Sequence, residues 1–274
     1  MKSTRDTVLE LRYDPDPLVE HAALLIARDA YPSLDIAAWK LTLDALAAPL
    51  AARATRARAP ARQADALLAH VFGELGFRGN EGDYHDPRNS YLNDVIERRL
   101  GLPITLAVVL AALGRRVGIQ VDGIGFPGHF LARVGGESGV VVDPFRGVML
   151  DDRALAELAG TVFGDPRQLR AEHLAPTGTL AIAVRMLLNL KHAHELRGDH
   201  ARALLVTDRL VDLAGTPEHR RDRGKHALAL GAHRAAAADL ARYLAERPDA
   251  PDFAVVRTLL ARAARDAAKN GLAS

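Results

Sequence analysis

From Pro17 to about Phe77 the apolar residues recur at helical spacing: Leu18, Ala22, Leu25 and Ile26, then Leu34, Ala38, Leu41, Leu43 and Leu46, then Ala66, Leu68, Val71 and Leu75. The spacing predicts three helices. Pro17 and Pro60 stand where a first-turn proline is tolerated, while Pro32 and the arginine-bearing stretch 51–61 mark the breaks. Turn formers crowd residues 80–87, after which Asn89 or Ser90 is expected to cap a helix that runs to Leu100 and stops at Gly101. Pro103 then opens a helix to about Val117. Its Ile104, Leu106, Val108, Val109, Leu110 and Leu113 leave no polar stripe, so it should be enclosed on every side.

Beyond Gly118 the period changes to that of strands, over Ile119–Gly125, Phe130–Val134 and Val140–Asp143. The last two are joined by Gly135-Gly-Glu-Ser-Gly139 and read as an antiparallel hairpin. A turn centred on Gly136 would set Val134 opposite Ser138, Ala132 opposite Val140, and His129 directly opposite Asp143. A helix follows from Asp152. After Pro166 and Pro176 the texture changes to small-residue helices broken by glycine, predicted at about 178–197, 200–214, 217–230 and 233–246, with a closing helix from Asp252.

Composition narrows the chemistry more than it names a partner. A formal charge of +2 and 26% charged residues fall short of the concentrated charge of a nucleic-acid binder. The basic residues Arg53, Arg56, Arg58 and Arg62, and those of 219–225, have no interleaved aromatics and read as solvated surface, so no nucleic acid is nominated. With no cysteine in the chain, disulfides, thiolate metal sites and thiol nucleophiles are excluded, and a reducing cytoplasm is a natural setting. The start, Met1-Lys-Ser-Thr-Arg-Asp6, is polar and unlike a secretory signal. The uncharged run Leu100–Gly114 is shorter than the ~20 residues of a membrane span, so no membrane is expected. Gly123-Ile-Gly-Phe-Pro-Gly128 only superficially spells a dinucleotide fingerprint, because a strand follows it where a helix is needed; no cofactor is expected.

Three stretches carry the candidate site: Asp86-Pro-Arg-Asn-Ser-Tyr-Leu-Asn93 running on to Gly101-Leu-Pro103, Gly125-Phe-Pro-Gly-His-Phe130, and Val142-Asp-Pro-Phe145. His129 reads either as a general base held by Asp143 or as a histidine satisfied by a structural carboxylate bond. Asp143 ends an apolar strand and must find a partner or stay near solvent. His85, Asp86, His129 and Asp143 are the residue types of an oxygen-and-nitrogen metal site, but no pair has ligand spacing on a helix, and no metal is expected.

Together these stretches resemble the signature of the SirB-type branch of the transglutaminase-like superfamily. The echo of Leu196-Arg-Gly-Asp-His-Ala-Arg-Ala203 in Leu230-Gly-Ala-His-Arg-Ala-Ala236, about one ~34-residue period on, resembles a tetratricopeptide pair. The resemblance implies an α+β fold: a helical N-terminal region, a papain-like core with a short antiparallel sheet, and C-terminal all-α repeats. It divides the chain into a transglutaminase-like domain over 1–150, a connector over 151–177 and a repeat domain over 178–274.

The superfamily's site joins a cysteine at a helix N-terminus to a histidine and an aspartate on neighbouring strands. His129 and Asp143 match the last two, and the cysteine position falls at or near Pro103. Thr105 is the only hydroxyl of that first turn, an oxygen nucleophile or a cap. By the same resemblance Arg88, Asn89 and Asn93 line the cleft, with Pro103 and Phe130 beside them; otherwise they cap the helix and bond its loop. The expected function is a non-thiol member that binds a peptide or protein partner through cleft and repeats. The competing reading is a hydrolase or acyltransferase using His129 and Asp143 with Thr105 or an activated water, and a third makes the cleft a scaffold for the repeats.

Overall fold

The computed structural model describes residues 9–14 and 17–272, so the polar start read over Met1–Asp6 lies outside the described residues. The described residues form two compact units, a core unit within Tyr13–Met186 and a repeat unit that holds residues 187–272 together with residues 9–12.

The core unit opens with α1 (Val19–Ala30), α2 (Ile36–Ala47), α3 (Ala51–Arg56) and α4 (Pro60–Leu68), the last continued by a π-helical turn over Ala69–Glu74. Asp35 caps α2 by accepting from Ala37 N and Ala38 N, and Pro60 sits in the first turn of α4. Within the stretch 51–61, expected as a break, the interruption is confined to residues 57–59, and residues 51–56 instead form α3. Its alanines and arginines are good helix formers, and Arg53 Nη2 donates to Glu74 Oε2 at 2.7 Å.

The next helix also differs from expectation. Neither Asn89 nor Ser90 caps it, and it does not reach Leu100: α5 spans Leu92–Arg98 and stops where Arg99 takes a left-handed conformation at φ 60°. Asp86 caps the turn before it, accepting from Arg88 N, and the Asn89 side chain is turned to the loop, away from the start of α5. Arg99 anchors its own strained position by donating from Nη1 to Ile96 O (2.6 Å) and lying over the Phe77 ring at 4.6 Å. The chain beyond it, β2 (Leu100–Gly101), pairs in parallel with β1 (Arg78–Gly79).

The helix α6 (Pro103–Arg116) is enclosed as predicted, with Ile104, Leu106, Val108, Val109, Leu110 and Leu113 all buried. It packs on α1, α2 and the sheet. That sheet has the order β3 (Val121–Ile124), β4 (Leu131–Val134), β5 (Val140–Asp143), β6 (Val148–Met149), antiparallel throughout. Its other face meets α7 (Asp152–Phe163) in a cluster of Ile124, Phe126, Leu131, Val141 and Leu155.

The hairpin forms, but in another register: Ala132 pairs with Val142 and Val134 with Val140. The connection Gly135–Gly139 is used in full, with Gly135 and Gly136 at positive φ and Gly139 N donating to Gly136 O. This moves the centre of symmetry from Gly136 to Glu137, a slip of two residues that keeps every side chain on its predicted face.

α8 (Thr179–Leu196) carries the boundary between the units. The repeat unit continues with α9 (His200–Leu213), α10 (Pro217–Ala229), α11 (His233–Glu246) and α12 (Phe253–Leu272), within a residue or two of the predicted helices. Gly198, Gly215 and Gly231, all at positive φ, punctuate them, and sequential helices pack as neighbours. α10 is polar yet half enclosed, because Arg223 bonds Asp208 and Asp239 while Asp222 takes Lys191 and Arg221. No helix among the described residues is long and apolar enough to cross a membrane.

Candidate functional site

His129 lies in the bend before β4 and Asp143 at the end of β5, and the hairpin brings His129 Nε2 within 3.1 Å of Asp143 Oδ2. Asp143 Oδ1 accepts from the backbone N–H groups of Phe145 (2.9 Å) and Arg146 (3.3 Å). Burial alone would raise the Asp143 carboxyl. The bond and charge of His129, with those two amides, outweigh it and hold the group below the ordinary carboxylate value. Because Nε2 is engaged, the second ring nitrogen, Nδ1, is left without a hydrogen bond among the described residues. The ring is partly exposed, at 21%, while the carboxylate is 5% exposed.

An arginine that sequence reasoning missed fixes the histidine backbone. Arg185 of α8 donates from Nη2 to His129 O (2.6 Å) and lies over the Phe130 ring at 5.3 Å. Burial lowers its pKa. Its one sequence signal is a lone charge inside the apolar run Ile182-Ala-Val-Arg-Met-Leu-Leu188. Two further residues were also not anticipated. Tyr84 sits edge-on to Phe145 at 5.8 Å; burial raises its phenol and the charge of Arg185 pulls the other way. Gly79 lies under Phe145 so closely that a Cβ there would stand 2.4 Å from the ring.

Asn89 is fully buried and organises the loop before α5. Its Nδ2 donates to Asp83 O and Tyr84 O, its Oδ1 accepts from Asn80 Nδ2 (2.9 Å), and its backbone carbonyl accepts from Thr105. Arg88 reaches out at 60% exposure while its Nε grips Asp86, which also meets Arg98. Asn93, 6% exposed, has its Oδ1 buried without a hydrogen-bond partner among the described residues. Next to it burial raises Asp94, opposed by a 2.6 Å bond from Tyr31.

Pro103 is the first residue of α6 and is buried. Thr105 is fully buried, and its hydroxyl is fully engaged: Oγ1 accepts from Leu102 N (2.9 Å) and donates to Asn89 O (2.7 Å), with Leu102 O a second acceptor at 3.1 Å. No hydrogen bond joins it to His129. Phe130 is buried under Arg185. The structure thus joins His129 to Asp143 in one group and Asn89, Thr105, Asp86 and Arg88 in another. The second group is tied together by Asn89 N donating to Asp86 O (2.9 Å) and by Arg98 between Asp86 and Asn89. Among the described residues no three histidine or carboxylate groups converge on a metal position.

Comparison with known proteins agrees with the two-part fold. Residues 37–188 match the model of the transglutaminase-like superfamily and residues 190–261 that of a tetratricopeptide repeat. The UPF0162 protein of Xylella fastidiosa strain Temecula1 is 40% identical over 242 residues, covering 86% of each chain. That of Vibrio cholerae is 30% identical over 197 residues, covering 71% of this chain and 73% of its own. The F-box only protein 21 of Mus musculus is 33% identical over 88 residues, which are 32% of this chain and 14% of that protein. No solved structure matches.

Proposed function

The chain belongs to the UPF0162 family, the SirB-like branch of the transglutaminase-like superfamily, and from that premise we propose that it is a cytoplasmic binding protein rather than a thiol enzyme. The cleft beside His129 and Asp143 takes a peptide segment of a protein partner, and the tetratricopeptide helices dock that partner. One observation carries the reading: the start of α6, where the superfamily holds its nucleophile, offers only Pro103 and a Thr105 hydroxyl whose proton and acceptor are both used in capping. An attacking oxygen needs a base within hydrogen-bond reach, and Thr105 has none. The dyad then serves recognition. His129 offers Nδ1 as a donor or acceptor toward a peptide group, while Arg185 and the Asp143 carboxylate hold the ring in place. Arg88, Asn89 and Asn93 support the loop that borders this cleft.

A second reading draws on the same Nδ1. An imidazole held by a carboxylate, with its other nitrogen open, suits a base that activates water, so a hydrolase without a protein nucleophile is the alternative.

Quantitative affinity capture from the native cytoplasm, with wild type and His129→Ala side by side, tests both. Partners lost only from His129→Ala support recognition in the cleft. Partners retained in both variants move binding to the repeats and defeat the cleft reading. Turnover of an aryl ester panel by wild type, abolished in His129→Ala, would replace binding by hydrolysis.

A further inference from the structure

β3 has one edge bonded to β4 and one turned away from it. Gln120 O accepts from Gly135 N, and Asp122 and Ile124 continue that alternation against Arg133 and Leu131. Val121 and Gly123 therefore direct their backbone groups to the opposite edge. The chain covers part of that edge itself. Thr177 N donates to Gly123 O (2.8 Å), Ile124 bridges to Pro176, and Gly125 N donates to Thr177 Oγ1 (2.8 Å). After Thr177 the backbone turns at Gly178 into α8 and leaves the sheet. Among the described residues, Val121 N–H, Val121 C=O and Gly123 N–H are left without a partner.

These three groups open onto a cavity of about 720 Å³ in the core unit. Val108 and Ala111 of α6, Phe130, Ile182 and Leu18 give it apolar walls. At its rim stands Arg115, half exposed; its Nη2 is held by Glu20, which Arg116 also satisfies, and its remaining guanidinium nitrogens make no bond among the described residues.

We propose that this edge is a strand-addition site for an extended, acidic segment of a partner protein. The segment takes over the pairing where Thr177 leaves it, bonds Val121 and Gly123, inserts an aliphatic side chain between Val108, Ala111 and Ile182, and sets a carboxylate against Arg115. Backbone donors and an acceptor in alternation are complementary to a strand, the adjoining pocket supplies selectivity for side chains, and the guanidinium nitrogens of Arg115 that Glu20 does not hold supply the charge preference. The site does not depend on His129, so it stands or falls separately from the cleft.

The experiment is a random dodecapeptide phage library panned on the full-length chain, with enriched peptides titrated by fluorescence anisotropy against wild type, Val121→Pro, Ala111→Trp and Arg115→Gln. Val121→Pro removes an outward N–H and no bond to β4. Enriched peptides should carry alternating aliphatic residues and an acidic one. They should bind Val121→Pro at least about ten-fold more weakly and Ala111→Trp, whose indole fills the cavity, not at all. Arg115→Gln should remove the preference for acidic over neutral peptides and most of the salt dependence. In wild type the peptide should slow amide exchange at Val121 and Gly123, a readout that holds even where a variant fails to fold. A library without enrichment, peptides that bind the first two variants as they bind wild type, or unchanged exchange at those amides would overturn the proposal. So would protection that rises with protein concentration alone, which would make a second copy the occupant.

Discussion

Replacing Thr105 by valine keeps the volume of a fully buried side chain and deletes its hydroxyl. With it go the bond Leu102 N donates at 2.9 Å, the one Asn89 O accepts at 2.7 Å and the longer contact to Leu102 O at 3.1 Å. Leu102 N is left with Asn89 O at 3.4 Å, too long for a strong replacement. A buried donor stripped of its acceptor costs about 1–3 kcal/mol, and loss of a helix cap about 1 kcal/mol, which overlap here in one group. The expected loss is about 2–3 kcal/mol, or roughly 5–10 °C in Tm for a unit of this size. Trp39, the chain's single tryptophan, lies in α2 of the core unit, so its fluorescence in urea or heat reports that unit. Thr105→Ser keeps both bonds and should lose only about 1 kcal/mol for the methyl group. A Thr105→Val protein within about 0.5 kcal/mol of wild type would refute the capping argument. Loss of a measured activity at unchanged stability would return Thr105 to the chemistry.

Gly79→Ala should destabilise the core unit by about 1–3 kcal/mol and weaken cleft binding, because its Cβ would stand 2.4 Å from the Phe145 ring; Trp39 unfolding and partner titration check the two effects. Arg185→Met retains the stem but frees His129 O, at a cost of about 1.5–3 kcal/mol, and should speed amide exchange around Phe126–His129. Asp143 has a folded-state pKa below its unfolded one, so its contribution to stability is complete above the unfolded value and disappears as pH falls through the folded one. Asp143→Asn should flatten that acid limb of the stability curve, read from urea midpoints below about pH 4; an unchanged limb would show that the carboxylate is not held by His129.

The elements most legible in the sequence were those with one dominant signal. The apolar surround of α6, the proline that opens it and the glycines that end the repeat helices were each specified by residues a few positions apart. The His129–Asp143 contact was legible for a further reason: strand parity survives a register error of two, so a hairpin whose pairing slipped by two residues still joined the same side chains. What was missed depends on partners distant in sequence. Arg99 ends α5 because its guanidinium finds Ile96 O and Phe77, where glycine at position 101 had seemed the stop. Gly101 is required instead for close approach, since a Cβ would stand 2.8 Å from Thr105 Oγ1. Arg185 lies 56 positions from the carbonyl it holds, beyond the reach of any local pattern.

The slipped hairpin also bears on how this site tolerates a change of strand register. His129 stands outside the paired residues of β4 and reaches Asp143 diagonally, so their contact depends on facing the same side of the ribbon rather than on being cross-strand partners. A shift of two residues in the pairing of β4 with β5 preserves that facing, whereas a shift of one turns one strand's side chains over. The dyad is thus fixed by strand parity, and only a pairing shift of an odd number of residues would move its two members to opposite faces.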